Sequence, residues 1–258
     1  MKTKSFLMSM LVLAVTLSTV SCIHAGRTIH ITDDKQVSEE RRLKDFEKIE
    51  INGSPTVYYT QADTFSVVVK GSSKAVENIL TEVSDGKLVI RNRGKMGVVN
   101  IVVSDNDDAT VSVTSPDLVG VALNGSGDFI SEGHVDTDVI GITLRGSGDM
   151  DFSDLICDRC QVELVGSGNI DLKCVETQKA TATLVGSGDV DLHLRNTAST
   201  RLSLKGSGDI DAEFSKGCGS VECELRGSGD INLKGEVHHL TKQKSGSGDV
   251  DVANLTVR

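Results

Sequence analysis

The sequence predicts an all-β protein in which an irregular N-terminal β region continues into a parallel β-solenoid, or β-helix, of about seven coils of about 20 residues. Three observations predict it: a short glycine motif recurs at a near-constant interval, the segments around it alternate between apolar and polar residues, and no helical pattern fits between them. The chain of 258 residues contains 26 Gly but only 6 Phe, 2 Tyr and no Trp. So few rings disfavour a deep aromatic pocket for a small molecule.

The repeat is the string Gly-Ser-Gly followed by Asp or Asn, and successive copies start 21, 20, 20, 20, 21 and 19 residues apart. We call each copy a corner. The seven corners start at Gly125, Gly146, Gly166, Gly186, Gly206, Gly227 and Gly246. Seven copies at one period indicate a repeat architecture, and glycine at each corner would allow positive φ and close approach of neighbouring backbones.

Each period contains strand-like segments on both sides of its corner. In Asp189–Leu194 and Arg201–Lys205 the apolar residues occupy every second position, which is strand periodicity. An antiparallel meander would satisfy this alternation, but it does not require equal spacing. A parallel solenoid does, because every corner then stacks on the previous one, and the usual crossover preference favours right-handed winding.

The last period differs from the others in a way that favours stacking. Residues two and four before a corner are apolar in earlier periods, as in Leu204 and Leu202, but they are Lys244 and Lys242 before the final corner. A terminal coil has no neighbour on one side, so polar residues are expected there. We therefore predict that this period caps the solenoid, which extends over residues 119–258.

Residues 43–118 lack the period and form the predicted irregular N-terminal β region. A helix is predicted over Ser73–Leu80 with Ser73 as N-cap, and Asn52-Gly53-Ser54-Pro55 resembles a distant copy of the corner. The predicted strands are Phe46–Ile51, Thr56–Gln61, Phe65–Lys70, Lys87–Arg91, Val98–Val103 and Val111–Thr114.

Residues 1–25 have the pattern of a signal peptide, in which Lys2 and Lys4 precede an apolar run that is too short to span a bilayer. Two processing sites are consistent with the sequence. Thr19-Val20-Ser21-Cys22 is similar to a relaxed lipoprotein box, which would make Cys22 the lipid attachment residue; otherwise cleavage before Gly26 is expected. Either site predicts an exported protein of the cell envelope, and the first predicts an outer-membrane lipoprotein.

Several segments together resemble a known family. Phe46-x-x-Ile49-x-Ile51-x-Gly53, Gly86–Ile90, Thr114–Leu118 and the Gly-Ser-Gly-Asp series are similar to the putative auto-transporter adhesin, head GIN domain family. The resemblance covers about residues 43–253. It implies a β-helix-like fold and an adhesive or cell-surface role, and the family brings no catalytic residues to carry over.

Acidic residues follow the corners in two columns. The first is Asp128, Asp149, Asn169, Asp189, Asp209, Asp230 and Asp249; the second, two residues further on, is Asp151, Asp171, Asp191, Asp211, Asn232 and Asp251. Calcium binding is one interpretation, because carboxylates are ligands for hard cations. The favoured interpretation is structural: Asp and Asn accept hydrogen bonds from turn amides, and Asn does so without a charge.

Five cysteines remain when Cys22 is excluded: Cys157, Cys160, Cys174, Cys218 and Cys223. Cys157-x-x-Cys160 has no second ligand pair for zinc at a matching spacing, so no metal site is predicted. Cys174 and Cys223 are expected at inward positions as small buried hydrophobes. Export would permit disulfides, but the odd number leaves at least one thiol free in a monomer, and the connectivity stays open.

These observations favour a non-catalytic, adhesin-like envelope module that presents a solenoid face to a carbohydrate or protein partner, without a cofactor. A structural spacer is the alternative, and a carbohydrate-active β-helix enzyme is a weaker one. Paired Asp residues could suggest glycoside hydrolysis, but they recur in nearly every coil, whereas catalysis needs one special site. The formal charge of −10, and −12 once Lys2 and Lys4 are removed (25 basic against 37 acidic residues), disfavours nucleic acid as a partner.

Overall fold

The computed structural model describes residues 36–93 and 109–258. One short helix, α1 (Ser73–Asn78), accompanies eighteen strands. The strands of the N-terminal region are β1 (Gln36–Glu40), β2 (Lys48–Gly53), β3 (Thr56–Gln61), β4 (Ser66–Ser72), β5 (Ile79–Ser84), β6 (Lys87–Asn92) and β7 (Thr110–Ser115). Those of the repeat are β8 (Gly120–Gly125), β9 (Asp128–Gly146), β10 (Asp149–Gly166), β11 (Asn169–Gly186), β12 (Asp189–Arg195), β13 (Ser199–Gly206), β14 (Asp209–Phe214), β15 (Ser220–Gly227), β16 (Ile231–Val237), β17 (His239–Gly246) and β18 (Val250–Val257).

The repeat forms a parallel β-solenoid, which confirms the predicted fold class. Every strand from β8 to β18 pairs in parallel register with the equivalent strand of an adjacent coil, as β10 does with β11 from Asp149↔Asn169 to Gly166↔Gly186. A meander would pair consecutive strands antiparallel. The near-constant period therefore has the physical cause inferred from the sequence: each residue lies about 4.8 Å above its equivalent in the previous coil.

The segments between strands are more regular than the sequence suggested. In β9, β10 and β11 one bent strand follows the whole coil from corner to corner, because the middle segment also keeps its parallel pairing, for example Cys157↔Thr177. The later coils are interrupted where Asn196 and Gly217 adopt positive φ. The strict alternation of buried and outward residues is interrupted at each bend by at least two successive residues that are not buried, so a coil consists of straight segments around a thin core.

The N-terminal region continues this stack. Strands β2 and β3 lie parallel to β8 and β9, and the Gly53 corner lies in register with Gly125, as its resemblance to a corner predicted. Beyond them, β6 pairs with β2 and β7 with β3, again in parallel. Antiparallel strands cover the end: β5 on β6, then β4 on β7 and β1 on β4. The layer formed by β6 and β7 thus lies outside the layer formed by β2 and β3, which precedes it in the chain.

Two details of the N-terminal region differ from the prediction. The cap of α1 is Ser72, whose hydroxyl accepts a hydrogen bond from the Ala75 amide at 3.2 Å, and the helix ends at Asn78. Ile79 and Leu80 belong to β5 instead, because pairing with β6 satisfies their backbone groups and buries Ile79. The predicted strand Val98–Val103 lies outside the described residues, as does the predicted signal segment.

Inward aliphatic side chains fill the core, and the aromatic ones are concentrated at its N-terminal end. Tyr59, Phe129 and Phe152 form a chain of ring contacts with centroids 6.1 and 5.3 Å apart. The Tyr59 hydroxyl lies 3.1 Å from the Ser115 hydroxyl, so the polar atom of this buried ring has a partner. The remaining coils are filled by short side chains such as Leu184 and Leu204, both fully buried. A core this narrow accounts for the low aromatic content.

Candidate functional site

The Gly-Ser-Gly corners stack into one edge of the solenoid. The first glycine of each corner has a φ between +127° and +146°. The backbone of the preceding coil occupies the space in which a Cβ would lie. At Gly186, for instance, a Cβ would lie 2.0 Å from the Gly166 carbonyl oxygen. That oxygen accepts a hydrogen bond from the Ser187 amide at 2.9 Å. The serine side chains face solvent along this edge.

The first acidic column is held by hydrogen bonds between coils. An Oδ1 of Asp149, Asp189, Asp209 and Asp230 accepts from the backbone amide of the equivalent residue one coil later, at 2.6 to 3.2 Å. The predicted bonds to turn amides are therefore present, but the amide belongs to the neighbouring coil. Asn169 takes part as well, because its Nδ2 donates to Asp149 Oδ1 at 2.9 Å. Across the part of the chain that the structure describes, no group of three or more His, Cys, Asp or Glu side chains could hold a metal ion.

The second acidic column is more crowded. Asp151, Asp171, Asp191, Asp211 and Asn232 are directly in register, and all five are half-buried. Lys173 binds Asp151 and also lies 3.9 Å from Asp171. Burial and the neighbouring Asp151 raise the pKa of Asp171, although Lys173 opposes this. Burial first, and then the carboxylates of Asp211, Asp171 and Asp189, raise the pKa of Asp191.

We expect the Asp191→Asn substitution to raise the Tm at pH 7. A raised carboxyl pKa means that the folded protein binds the proton more tightly than the unfolded chain does. The stability of the folded protein therefore falls as the pH rises from the ordinary Asp pKa of about 3.9 through the raised pKa. Asn removes the charge, and with it both the cost of burying that charge and the repulsion from the neighbouring carboxylates that together cause this loss. Thermal unfolding at pH 7 and pH 3 measures the effect, and the gain should vanish at pH 3. Asp138→Asn, an exposed residue away from the column, is the control; an equal gain there would contradict the explanation.

The acidic column continues into an apolar patch towards the N-terminus. Ile130 lies in register with Asp151, and Tyr58 lies in register with Ile130. Both side chains point outward and are half-buried. Of the other aromatic residues described, Phe65 packs against Phe46, and the remaining rings are buried in the core. Tyr58 is therefore the aromatic ring of this outer surface. We call the outward residues Tyr58, Ile130, Asp151, Asp171, Asp191, Asp211 and Asn232 the acidic face.

Sequence reasoning did not identify Tyr58 as a surface residue. Alternation along Val57-Tyr58-Tyr59-Thr60 shows that one tyrosine points inward and the other outward, but two adjacent tyrosines do not reveal which. Register resolves the ambiguity, because Val57 and Tyr59 pair with Val111 and Val113, whose side chains are buried. Tyr58 pairs with Ser112 on the outer side of the sheet.

The opposite side of the corner carries a different surface. Its outward residues are small or of mixed charge, including Thr143, Thr183 and Ser203 along the centre. Val165 and Val185 are paired in register and are 37% and 38% exposed, an unusual position for aliphatic residues in a strand. Arg145 continues their column but is bound to Glu163 at 2.9 Å.

Within residues 36–93 and 109–258, the cysteines and histidines do not assemble a catalytic group. The prediction that Cys174 is buried is wrong: it is half-buried, because the bend between Leu172 and Val175 inserts one extra residue and turns its side chain outward. Cys223 is fully buried as predicted, and burial raises the pKa of its thiol to about 12. His134 Nδ1 lies 2.8 Å from Asp154 Oδ2 on the surface. All five cysteines are free thiols.

Comparison with known proteins agrees with the sequence pattern. The family model described as putative auto-transporter adhesin, head GIN domain, matches residues 45–216 and 193–258. The curated proteins contain no match to this sequence. No helix in the described ranges 36–93 and 109–258 is long and apolar enough to cross a membrane.

Solved structures share the fold at low sequence identity. A putative adhesin from Bacteroides fragilis is 24% identical, with a TM-score of 0.72 over 84% of this chain and 96% of its own. A putative lipid binding protein from Parabacteroides distasonis is 21% identical, with a TM-score of 0.66 over 85% and 98%. A putative adhesin from Parabacteroides merdae is 16% identical, with a TM-score of 0.64 over 85% and 98%. At these identities the likeness shows the fold alone.

Proposed function

Because the chain belongs to the putative auto-transporter adhesin, head GIN domain family, we propose that it is an exported, non-catalytic binding module of the cell envelope. We further propose that it binds a carbohydrate polymer along the acidic face. The observation that carries the proposal is the register that aligns Tyr58 and Ile130 with the carboxylates of Asp151, Asp171 and Asp191. The family match supports the adhesive role, and the chemistry of the face indicates the class of ligand.

The composition of the acidic face favours a carbohydrate over a protein partner. Protein interfaces are depleted in Asp and Ser at their cores, whereas the acidic face consists mainly of Asp. Carboxylates only accept hydrogen bonds, and sugar hydroxyls donate them. An aromatic ring beside them offers an apolar surface on which the C–H face of a sugar ring can stack. The negative charge disfavours uronic or sulfated polymers, so a neutral or amino-sugar polysaccharide is the expected ligand.

The length of the acidic face suits a polymer better than a single sugar. Its outward side chains repeat at about 4.8 Å from strand to strand, so the seven residues from Tyr58 to Asn232 extend over roughly 30 Å. Each hydrogen bond between a sugar hydroxyl and one of these partly solvated carboxylates is weak. Repeated contacts along one polysaccharide chain add together without further loss of translational freedom. Short oligosaccharides are therefore expected to bind more weakly than long ones of the same composition.

A glycan array followed by titration of the best ligand tests this proposal. Tyr58→Ala removes the stacking surface and is expected to weaken binding by about tenfold, which corresponds to about 1.4 kcal/mol. Thr183→Ala on the opposite surface is the matched control and should bind as the wild type does. Absence of binding across neutral and amino-sugar polysaccharides would overturn the proposal. Binding to matrix proteins alone would assign a protein partner. Absence of binding to both polysaccharides and matrix proteins would favour the structural-spacer hypothesis.

We also propose a lipid anchor at Cys22, with the protein held at the outer membrane. The apolar run before Ser21-Cys22 and the family membership support export. Catalysis on the bound polymer is not expected, because the carboxylates recur in every coil rather than at one site. Mass spectrometry of the N-terminus tests the anchor, and an unmodified start at Gly26 would contradict it. Product release from a polysaccharide would restore the enzyme interpretation.

A further inference from the structure

Two thiols face each other at one bend of the solenoid. In β10 the coil turns at Asp158-Arg159, both of which are exposed, while Cys157 and Cys160 on either side point inward and are only 6% and 2% exposed. Two inward side chains that flank a two-residue bend converge beneath it. The inward direction and the burial of both side chains place the two thiols close together, and each thiol is accordingly the largest influence on the pKa of the other.

At the equivalent bend, the neighbouring coils β9 and β11 do not carry a pair of cysteines. The register places Thr137 and Thr177 on either side of Cys157, and Ile140 and Ala180 on either side of Cys160. One column at this bend therefore holds small hydroxyl or thiol side chains, and the other holds apolar ones. β10 is the coil, among those described, that carries a thiol in both columns. The odd number of cysteines left the pairing open, and the structure separates this pair from Cys174, Cys218 and Cys223.

We propose that Cys157 and Cys160 form a reversible disulfide that closes this bend in the oxidising environment of the cell envelope. The proposal rests on the proposed export for its oxidant, which is the disulfide of an envelope thiol–disulfide exchange partner. The two S–H bonds of Cys157 and Cys160 break and one S–S bond forms. Two electrons and two protons pass to the partner, whose disulfide is reduced to two thiols.

The two cysteines have different roles in this exchange. The pKa of the Cys157 thiol is lowered, first by the Cys160 thiol and then by Thr177, although burial opposes this. The pKa of the Cys160 thiol is held well above its usual range by Cys157 and by burial. Cys157 is also the more exposed of the two. Thiolates are the attacking species, so Cys157 attacks the partner's disulfide first and Cys160 then resolves the mixed disulfide. The bond joins residues three apart within one coil and leaves the stacking of coils unchanged.

Peptide mapping tests the proposal with the purified full chain, independently of export. The reduced protein is equilibrated with oxidised glutathione, alkylated, and digested with trypsin without reductant. Trypsin cleaves between the two cysteines, at Arg159, so a disulfide joins the peptides Gly146–Arg159 and Cys160–Lys173, each of which contains one cysteine. Cys174 falls in Cys174–Lys179, and Cys218 and Cys223 share Gly217–Arg226. We expect the first two peptides as a linked pair that separates on reduction.

Matched variants make the result specific. Cys160→Ser should abolish the linked pair and accumulate a glutathione adduct on Cys157, whereas Cys223→Ser should leave the pair unchanged. Recovery of both peptides fully alkylated without reductant would overturn the proposal. So would links from either peptide to other cysteines, or a stable glutathione adduct on Cys157 in the wild type. A linked pair from the purified protein with free thiols in the protein taken from cells would support the pair and contradict the proposed export instead.

Discussion

Gly186→Ala is expected to destabilise the solenoid by about 3 kcal/mol or more, which lowers the Tm by roughly 6–12 °C for a chain of this size. Two costs combine at this residue. Gly186 has a φ of +143°, where a side chain is strained, and its Cβ would lie 2.0 Å from the backbone oxygen of Gly166. The obstructing atom is backbone and belongs to an inter-coil hydrogen bond, so it cannot move without separating the coils. Circular dichroism during heating measures the change.

Three other glycines separate the two costs. Gly188 lacks the positive φ but would place a Cβ 2.0 Å from the Gly168 oxygen, so its substitution by Ala reports the steric cost alone. Gly133 has a φ of +86° with open space around it, so it reports backbone strain of about 1–3 kcal/mol. Gly141 has neither a positive φ nor an atom close to the position of a Cβ, so it should tolerate Ala. If Gly186→Ala were no worse than Gly141→Ala, the close stacking of the corners would be disproved.

The regular part of this fold could be predicted because each of its physical requirements leaves a mark in the sequence. Stacked corners need glycine, a thin core needs alternating aliphatic residues, and equal coils need equal spacing. The layer order of the N-terminal region has no such mark. Strands β6 and β7 form a layer outside β2 and β3 because they pair with the free edges of those two strands. That choice depends on which edges remain unpaired in three dimensions, and not on any local pattern.

Errors at individual residues also have local causes. Alternation predicts side-chain direction only as far as the next bend, and Cys174 lies within one. The position of Ile79 is decided by pairing with Asn92 of β6, which outweighs its helical context. The sequence predicts the carboxylates of the acidic face as the second acidic column, but the apolar end of the face at Tyr58 comes from the non-repetitive region. Its role in the face depends on register with β9, which the sequence of either segment alone does not contain.

The coil formed by β17 and β18 differs from the earlier coils in its inward residues. In β17 the positions that are inward elsewhere hold Lys242 and Lys244, which lie over Cys223 and Leu225 of the coil below. Both lysines are exposed, and Lys244 Nζ reaches across the corner to Asp249 Oδ1 at 3.2 Å. In β18 of the same coil, Val252 and Leu255 are only partly covered. Among the described residues, β17 and β18 pair only with the preceding coil, so they combine free backbone groups with an apolar interior, and the two charges keep water at that edge.

Replacing both lysines with leucine is therefore expected to make the protein associate through this end. The Lys242→Leu/Lys244→Leu variant would continue the apolar columns of Cys223 and Leu225 to the surface beside an unpaired strand edge. Two such ends can pair with each other about a twofold axis, so sedimentation velocity should show a concentration-dependent species of twice the wild-type mass. Thr241→Leu/Gln243→Leu adds the same number of leucines on the outward side of β17 and should sediment as the wild type does. Equal behaviour of the two variants would mean that apolar content, rather than the inward position of the charges, governs assembly at this edge.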